Sequence, residues 1–343
     1  MSKIEWITWN PIVGCSAISP GCANCYAMRM AAALQKINRT GGSNSAYVNR
    51  YDGTTQPSEA GPVWTGKVAL APEHILTAPL RWKRPRRIFV NSMGDLFHES
   101  VPDAWIDRVF AMMALMPQHT FQCLTKRSKR MRDYFSGRRA DGFGTVGSII
   151  HKSHSLGVSA ATSDGPWGAI SLDRPSHKWS LKWPLPNVWL GISAEDQERA
   201  AARIPDLLAT PAALRFVSAE PLLGPIDFTQ IDDGAAHREV PRDEWGCLDN
   251  DDSPPALWWN VLTGERSIMH GGGTGDWSRI DGRLDWIIVG GESGPDARDN
   301  NFIENARSLF AQCRAAGVPF FGKQNVGKKP LPSDLDVKEF PHA

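Results

Sequence analysis

The sequence has almost no net charge and no long apolar run. Its 38 basic and 37 acidic residues leave a formal charge of +1, which excludes a global electrostatic attraction to nucleic acid or to a membrane surface. No apolar stretch reaches the ~18 residues of a membrane span, and the N-terminal MSKIEWITW lacks the apolar segment of a secretory signal. We therefore expect a cytoplasmic protein with no membrane partner.

Cysteine is also scarce. The 343 residues include six cysteines, and three of them, Cys15, Cys22 and Cys25, lie within one short segment. The other three are scattered singly, which is not the pattern of a disulfide framework. This use of cysteine is typical of a reducing compartment and predicts a metal site at the clustered thiols.

That segment, GCSAISPGCANCY at residues 14–26, is called the cysteine loop below, and it lacks a fourth ligand. No histidine precedes His74, so a closed zinc site would need His74, His98 or a distant residue. A [4Fe–4S] cluster held by three thiolates instead keeps one iron open for a small ligand. The spacing therefore favours an iron–sulfur cluster on the three cysteines, with a zinc site and inert thiols as the alternatives.

Short apolar runs, each followed by a helical pattern, recur from Arg87 onward. Such runs indicate strands buried on both faces, and their alternation with helices indicates parallel pairing. The predicted strands cover residues 88–90, 120–124, 188–192, 214–217, 284–289 and 318–321, and the predicted helices cover 102–116, 128–135, 194–208 and 300–316. We predict an α/β fold, a partial or complete parallel (β/α) barrel, as one domain over residues 1–343 with irregular insertions at about 137–186 and 226–283.

Polar residues follow the predicted strands where each strand ends. They lie at residues 91–95, 125–127, 193–195, 218–220 and 290–294. In parallel α/β folds these carboxyl ends meet on one face, where ligands bind. An acid at a helix start is an alternative explanation for Glu195, but not for Glu292 in its glycine-rich turn. Gly290 and Gly291 would let a ligand approach the backbone, although no phosphate-loop pattern occurs.

Together these motifs resemble a phage-associated protein family that carries a three-cysteine motif and is similar to radical S-adenosylmethionine (SAM) enzymes. The resemblance rests on the cysteine loop and on residues 91–98, 124–127, 189–193, 216–224, 290–294 and 320–324. It spans most of the chain outside the two insertions. The chain departs from the usual radical SAM motif in its longer first gap, residues 16–21, and in Asn24, which stands before the third cysteine where the usual motif has an aromatic residue.

The resemblance implies a radical SAM-type barrel whose first strand lies at about residues 4–9. It also implies a [4Fe–4S] cluster, SAM bound to the open iron, an electron donor, and a 5′-deoxyadenosyl radical that abstracts hydrogen from the substrate. The implied cofactor-binding residues are Ser92, Met93, Gly94, Asp95, Ser193, Glu195, Glu220, Gly290, Gly291 and Glu292. Glu220, Glu292 and Lys126 are the candidate catalytic residues, and a phage-encoded protein would work in the host cytoplasm.

Two basic stretches, residues 81–87 and 126–132, predict an anionic substrate. Lys126 and Arg127 lie at a strand end, and with Lys323 they are the predicted substrate contacts. The basic residues and the phage association predict a nucleic-acid or nucleotide substrate that is modified or repaired. For either stretch taken alone, a solvated basic surface is the favoured explanation.

Two other functions fit the same residues. In the first, the cysteines hold a structural zinc in a nucleic-acid-binding module that binds no SAM. In the second, the chain is a scaffold or maturation factor whose cluster recruits a partner protein. SAM binding and release of 5′-deoxyadenosine distinguish the enzyme from both.

Overall fold

The computed structural model describes residues 5–39, 46–136, 184–232, 256–269, 277–279, 282–294 and 296–341. Its strands are β1 (Glu5–Trp9), β2 (Ile12–Val13), β3 (Thr55–Ser58), β4 (Gly61–Trp64), β5 (Ala69–Leu70), β6 (Arg86–Val90), β7 (Thr120–Thr125), β8 (Val188–Ser193), β9 (Leu214–Ala219), β10 (Ile231–Asp232), β11 (Ala256–Asn260), β12 (Glu265–Met269), β13 (Trp277–Arg279), β14 (Trp286–Gly290) and β15 (Phe320–Gln324). Its α-helices are α1 (Tyr26–Arg39), α2 (Ala46–Asn49), α3 (Glu73–Leu76), α4 (Asp103–Ala114), α5 (Ser128–Ser136), α6 (Gln197–Leu208) and α7 (Phe302–Ala316). No helix within these ranges is both long and apolar enough to cross a membrane.

Seven strands form one parallel sheet in the order β1-β6-β7-β8-β9-β14-β15. The sheet curls into a half-barrel, and helices α4 to α7 pack against its outer face. Because all seven strands are parallel, their carboxyl ends lie along one edge. The α/β class and the partial parallel barrel that the sequence predicts are confirmed.

The helix boundaries differ from the prediction by a few residues, and one difference matters for the site. Helix α6 begins at Gln197 and not at residue 194, because Asp196 is its N-cap. The side chain of Asp196 accepts a hydrogen bond from Arg199 N at 3.0 Å. Glu195 therefore lies outside the helix, so its carboxylate is not explained by the start of a helix.

The two predicted insertions have different outcomes. Most of the first, up to residue 183, lies outside the described residues. The second was predicted to be irregular, and this was wrong in part, because β10 to β13 form an antiparallel sheet. Gly264 adopts φ +77° between β11 and β12, a left-handed conformation that suits a tight connection between antiparallel strands.

Side chains on the inner face of the half-barrel form their own cluster. Trp189, Phe216 and Trp286 are buried there, and the rings of Trp189 and Trp286 meet edge to face at 5.9 Å. A Cβ built on Gly191 would lie 2.5 Å from the Phe216 ring, so the glycine leaves the space that this ring occupies. The cluster fills the half-barrel towards the amino ends of the strands and leaves the carboxyl ends for a site.

Candidate functional site

A cavity of about 230 Å³, called the cysteine cavity below, opens at the carboxyl ends of the parallel strands. Cys15, Cys22 and Cys25 all line it. Its wall also contains Ser92, Gly94, Asp95, Lys126, Arg127, Ser193, Glu220, Gly291, Glu292 and Lys323. The structure thus brings the cysteine loop and most of the predicted site residues to one place, while Met93, Glu195 and Gly290 lie behind the wall.

The cysteine loop has a defined backbone path. It begins with a turn at Gly14, where φ is +92° and a Cβ would lie 2.0 Å from Lys67 O, so another residue would clash with backbone. Gly14 N donates a hydrogen bond to Met93 O at 3.0 Å. Further along, Pro20–Cys22 form a short 3₁₀ helix, and Cys25 directly precedes α1.

Arg127, after β7, holds the first part of the loop. Its buried guanidinium donates from Nη2 to Ser16 O at 3.0 Å and to Ser16 Oγ at 2.7 Å, and from Nη1 to Cys15 Sγ at 3.6 Å. The remaining N–H groups donate to Asp95 Oδ2 at 3.0 Å and to Glu99 Oε2 at 2.8 Å. All five donors of the guanidinium therefore have protein acceptors. Burial lowers the pKa of Arg127, but Asp95 and the neighbouring anionic groups raise it by more, so the group stays charged.

Glu195, after β8, holds the middle of the loop. Its carboxylate is fully buried, pairs with Lys126 and with Arg203 Nη1 (2.8 Å), and accepts a hydrogen bond from Ser19 Oγ. A Cβ on Gly21 would lie 2.5 Å from Glu195 Cγ, so the loop backbone lies directly on this carboxylate. Burial raises the pKa of Glu195, but the charges of Lys126 and Arg203 outweigh burial and hold it below the ordinary value.

Glu292, after β14, holds the last part of the loop together with Arg298. Glu292 Oε2 accepts from Asn24 Nδ2 at 2.9 Å and from Arg298 N at 2.8 Å, and Arg298 Nη2 donates to Pro20 O at 2.9 Å. Burial raises the pKa of Glu292, but the hydrogen bonds from Arg298 and Asn24 lower it by more. Asn24 is one of the two residues between Cys22 and Cys25. We refer to Arg127, Glu195 and Glu292 as the loop anchors.

The turn after β6 packs against the start of the loop. Asn10 Oδ1 accepts from Met93 N at 2.9 Å and from Ser92 Oγ at 3.1 Å. A Cβ on Gly94 would lie 2.9 Å from Gly14 O, so the glycine permits this close approach. The turn and the loop therefore hold each other in place, and Ser92 and Gly94 remain at the cavity wall.

Asp95 is occupied by the neighbouring strand end. Its Oδ1 accepts from Thr125 Oγ1 at 2.7 Å, and its Oδ2 accepts from Lys126 N at 3.2 Å as well as from Arg127. These contacts make Asp95 a bridge between β6 and β7. The predicted role of Asp95 in binding the amino group of SAM stays a prediction.

Glu220 and Lys323 form an ion pair inside the cavity. Lys323 Nζ lies 2.9 Å and 2.8 Å from the two carboxylate oxygens of Glu220. The Lys323 side chain is 49% exposed and that of Glu220 21%. A Cβ on Gly291 would lie 2.4 Å from a backbone nitrogen, so packing requires this glycine, whereas one on Gly290 would lie 3.0 Å from Glu220 Cδ and would require only a shift of that side chain. Unlike the anchors, this pair presents charge to the cavity.

The three clustered cysteines are free thiols that are partly exposed. Burial and the charge of Asp95 raise the pKa of Cys15 to about 12, while Arg127 lowers it. Among the described residues, no three His, Cys, Asp or Glu side chains stand ready to hold one metal ion. The donor set nevertheless fits an iron–sulfur cluster, because three sulfur atoms line one cavity and a fixed cation lies beside the first of them.

His98 also contacts the loop, and both of its ring nitrogens are in use. Nδ1 lies 3.1 Å from Ser100 N and accepts its hydrogen bond, so Nε2 carries the proton and donates to Ser16 Oγ at 2.9 Å. Burial and the charge of Arg127 lower the pKa of His98, which favours this neutral form. In this arrangement His98 offers no lone pair to a zinc ion.

The two basic stretches lie at opposite ends of the sheet. Residues 81–87 lead into β6 and are therefore remote from the cavity, and Arg87 there stacks on Phe340 at 4.1 Å. In the second stretch, ion pairs join Lys129 to Asp133, Arg130 to Asp103 and Arg132 to Asp206. Neither stretch presents a row of unpaired cations at the cavity, which favours the surface explanation.

Sequence reasoning missed several residues of this network, among them Asn10, Asn24, Glu99, Arg203 and Arg298. Asn10 follows β1 directly, so the strand-end pattern could have found it. Arg203 lies on the buried stripe of α6, and a cation on an apolar stripe indicates an internal partner. No periodic pattern indicates Asn24 or Arg298.

A comparison with known protein families matches nearly the whole chain. A family model described as "Protein of unknown function (DUF5131)" matches residues 1–332. No curated protein and no solved structure matches the chain. The matched range includes the cysteine loop and every strand of the parallel sheet. The chain therefore belongs to the DUF5131 family.

Proposed function

We propose that the chain is a radical SAM-like iron–sulfur enzyme that acts on a nucleotide or a nucleic acid. One observation carries the proposal: three clustered cysteines line a cavity at the carboxyl edge of a parallel half-barrel. Enzymes with parallel α/β sheets bind their cofactors at this edge. The strand-end motifs that resemble those of radical SAM-like proteins line the same cavity.

Cys15, Cys22 and Cys25 would hold the [4Fe–4S] cluster, and SAM would occupy the iron that lacks a thiolate. When bound, the cluster would supply one electron to the sulfonium of SAM, which would break the bond between sulfur and the 5′ carbon and give methionine and the 5′-deoxyadenosyl radical. The loop anchors orient the thiols from three different strands. Such support from outside the ligand set is what keeps metal ligands in position.

The cavity wall offers few charged groups that are not already used in holding the loop. Lys323 and Glu220 present an ammonium group and a carboxylate to the cavity, where they would face a substrate that lies next to SAM. Ser92, Ser193 and Gly291 line the same wall. Glu220 is accordingly the candidate catalytic residue that the geometry supports best, because Glu292 and Lys126 are engaged by the loop and by Glu195.

Reconstitution tests this function directly. The chain is loaded anaerobically with iron and sulfide, and iron content, visible absorption and binding of SAM by calorimetry are measured. We expect a brown protein that binds SAM and releases 5′-deoxyadenosine when a chemical reductant is added. Cys22→Ala and Cys25→Ala should lose the iron and the absorption.

Cys313→Ala is the matched control, because Cys313 is buried in α7, away from the cysteine cavity. This variant should load iron as the parent does. A colourless protein that contains one zinc ion per chain and binds no SAM would contradict the proposal and favour the zinc-stabilised module. Release of 5′-deoxyadenosine would rule out a scaffold that uses its cluster only for recruitment.

A further inference from the structure

A second cavity, of about 700 Å³ and called the barrel cavity below, lies inside the half-barrel. It shares lining residues with the cysteine cavity, among them Phe89, Leu124, Ser218 and Glu220, so the two are continuous. A volume of several hundred Å³ is typical of sites for small molecules. A molecule bound here would lie next to whatever the cysteine cavity holds.

Aromatic side chains make up much of the wall of the barrel cavity. Phe216 and Trp286 form its buried floor, and Phe89, Phe321 and Trp6 form its sides. Trp6 is 45% exposed at the first strand of the open half-barrel, so that side is accessible to a ligand. Aromatic walls of this kind bind planar rings by stacking.

One polar group in this wall has no partner. Gln122 extends from the inner face of β7, in register with Phe89, and is 2% exposed. Among the described residues, its Nε2 is buried without a hydrogen-bond acceptor. Buried amides almost always have partners in folded proteins, so an orphaned amide in a side chain that lines a cavity points to a ligand, which rotation about the last side-chain torsion would bring within reach of Nε2. An amide supplies both a donor and an acceptor, which match one edge of a nucleobase.

Charge is confined to the rim of the barrel cavity. The ion pair of Glu220 and Lys323 lies where the two cavities join. A ligand would therefore place an uncharged ring among the aromatic residues and a polar tail beside this pair. The carboxylate can accept hydrogen bonds from sugar hydroxyls, and the ammonium group can bind a phosphate.

We infer that the barrel cavity binds a nucleobase, with the Gln122 amide on its edge and its sugar at the Glu220–Lys323 pair. A nucleobase would be the substrate of the proposed function, and its reaction at this site rests on that function. Binding itself requires no cluster. The base could belong to a free nucleoside or to a nucleotide turned out of a single strand.

The test uses full-length protein without cluster. Adenosine, guanosine, cytidine, thymidine and a short single-stranded oligonucleotide are titrated, with tryptophan fluorescence and calorimetry as readouts. We expect saturable binding of at least one nucleoside or of the oligonucleotide, and the stronger of the two identifies the source of the base. Gln122→Met should weaken that binding about tenfold without lowering the melting temperature, because methionine fills the space and leaves no orphaned amide.

Gln230→Met makes the same substitution at an exposed position and should leave the affinity unchanged. If Gln122→Met does not fold, Phe321→Leu in the opposite wall should weaken binding in its place. The inference is overturned if neither nucleosides nor oligonucleotide saturate the protein below about 1 mM. It is also overturned if Gln122→Met lowers the melting temperature but leaves binding intact.

S-Adenosylhomocysteine separates the substrate from the cofactor. If it saturates the cysteine cavity and the nucleoside still binds, the barrel cavity holds the substrate base. If the two exclude each other, the barrel cavity holds the adenine of the cofactor, and the substrate assignment is overturned. A protein that binds nucleosides but takes up no iron would overturn the proposed function alone.

Discussion

Gly21 lies directly on the carboxylate of Glu195. A Cβ built on Gly21 would be 2.5 Å from both Cγ and Oε1 of Glu195, a distance that real Cβ atoms essentially never show. Glu195 cannot withdraw, because Lys126 and Arg203 hold its two oxygens. The extended first gap of the cysteine loop is therefore seated on a fixed buried charge.

Gly21→Ala should lift the loop away from this charge. We expect the free energy of unfolding to fall by about 1 to 3 kcal/mol, as in other overpacked sites, and the reconstituted protein to retain less iron. Gly224→Ala is the control, since its Cβ would lie 3.3 Å from Asp196 Cβ and would require a smaller adjustment. Urea unfolding and iron assays give both quantities, and a Gly21→Ala protein that matches the parent in both would contradict the seating of the loop.

Arg127→Met should be the most damaging change among the loop anchors. It removes the partner of Asp95, which is 5% exposed, and strands a buried negative charge. Breaking a buried pair in this way costs about 3 to 5 kcal/mol. The double variant Asp95→Asn/Arg127→Met should lose less stability than the sum of the two single variants, because the stranded charge is gone. Additive losses in urea unfolding would show that the two side chains are not coupled.

Because Glu195 is charged in the folded chain, the free energy of unfolding should depend on pH under acidic conditions. Lys126 and Arg203 overcome the effect of burial and hold its pKa below the ordinary value of 4.5 in the folded chain. As the pH falls through that value, the unfolded chain takes up a proton that the folded chain does not, so the free energy of unfolding decreases. The contribution is fully present above the ordinary value and is lost as the pH falls below it towards the lowered value of the folded chain. Glu195→Gln should be less stable near neutral pH and should lose less on acidification, and parallel losses in the two proteins would refute this.

The sequence predicts the sheet well because burial on both faces leaves a readable pattern. Every residue of Val188–Ser193 is buried, and the sequence shows a matching apolar run. The convergence of strand ends follows from parallel pairing alone. The antiparallel strands β10 to β13 were missed because the aspartate-rich and glycine-rich sequence around them is typical of loops.

The roles of the strand-end acids could not be read in the same way. Sequence position places Glu195 and Glu292 at the correct edge, but it does not show what fills the space beside them. Their partners, Arg203 and Arg298, lie further along the chain, at distances in sequence that do not predict an ion pair. The predicted cofactor roles of these acids stay predictions, and the structure adds that both hold the loop that carries the cysteines.

Lys323→Met should weaken ligand binding and leave the stability of the fold nearly unchanged. Its ion pair with Glu220 is half-exposed, so we expect the free energy of unfolding to change by no more than about 1 kcal/mol. The affinity of the protein for a nucleotide should fall, because a cation at the cavity wall is lost. Arg307→Met breaks a comparably exposed ion pair with Asp334 and is the control. Equal affinities of the two variants, measured by calorimetry, would show that Lys323 does not contact the ligand.

Gly191→Ala tests how the inside of the half-barrel is filled. The added methyl group would lie 2.5 Å from the ring of Phe216, which packs on Trp286 at a centroid distance of 5.9 Å. Overpacking should lower the free energy of unfolding by about 1 to 3 kcal/mol and push the Phe216 ring into the barrel cavity. Phe216→Leu in the same chain removes the clash, so the double variant should recover part of the stability that Gly191→Ala loses. A Gly191→Ala protein as stable as the parent, or a double variant with purely additive losses, would show that Gly191 is not what makes room for the ring.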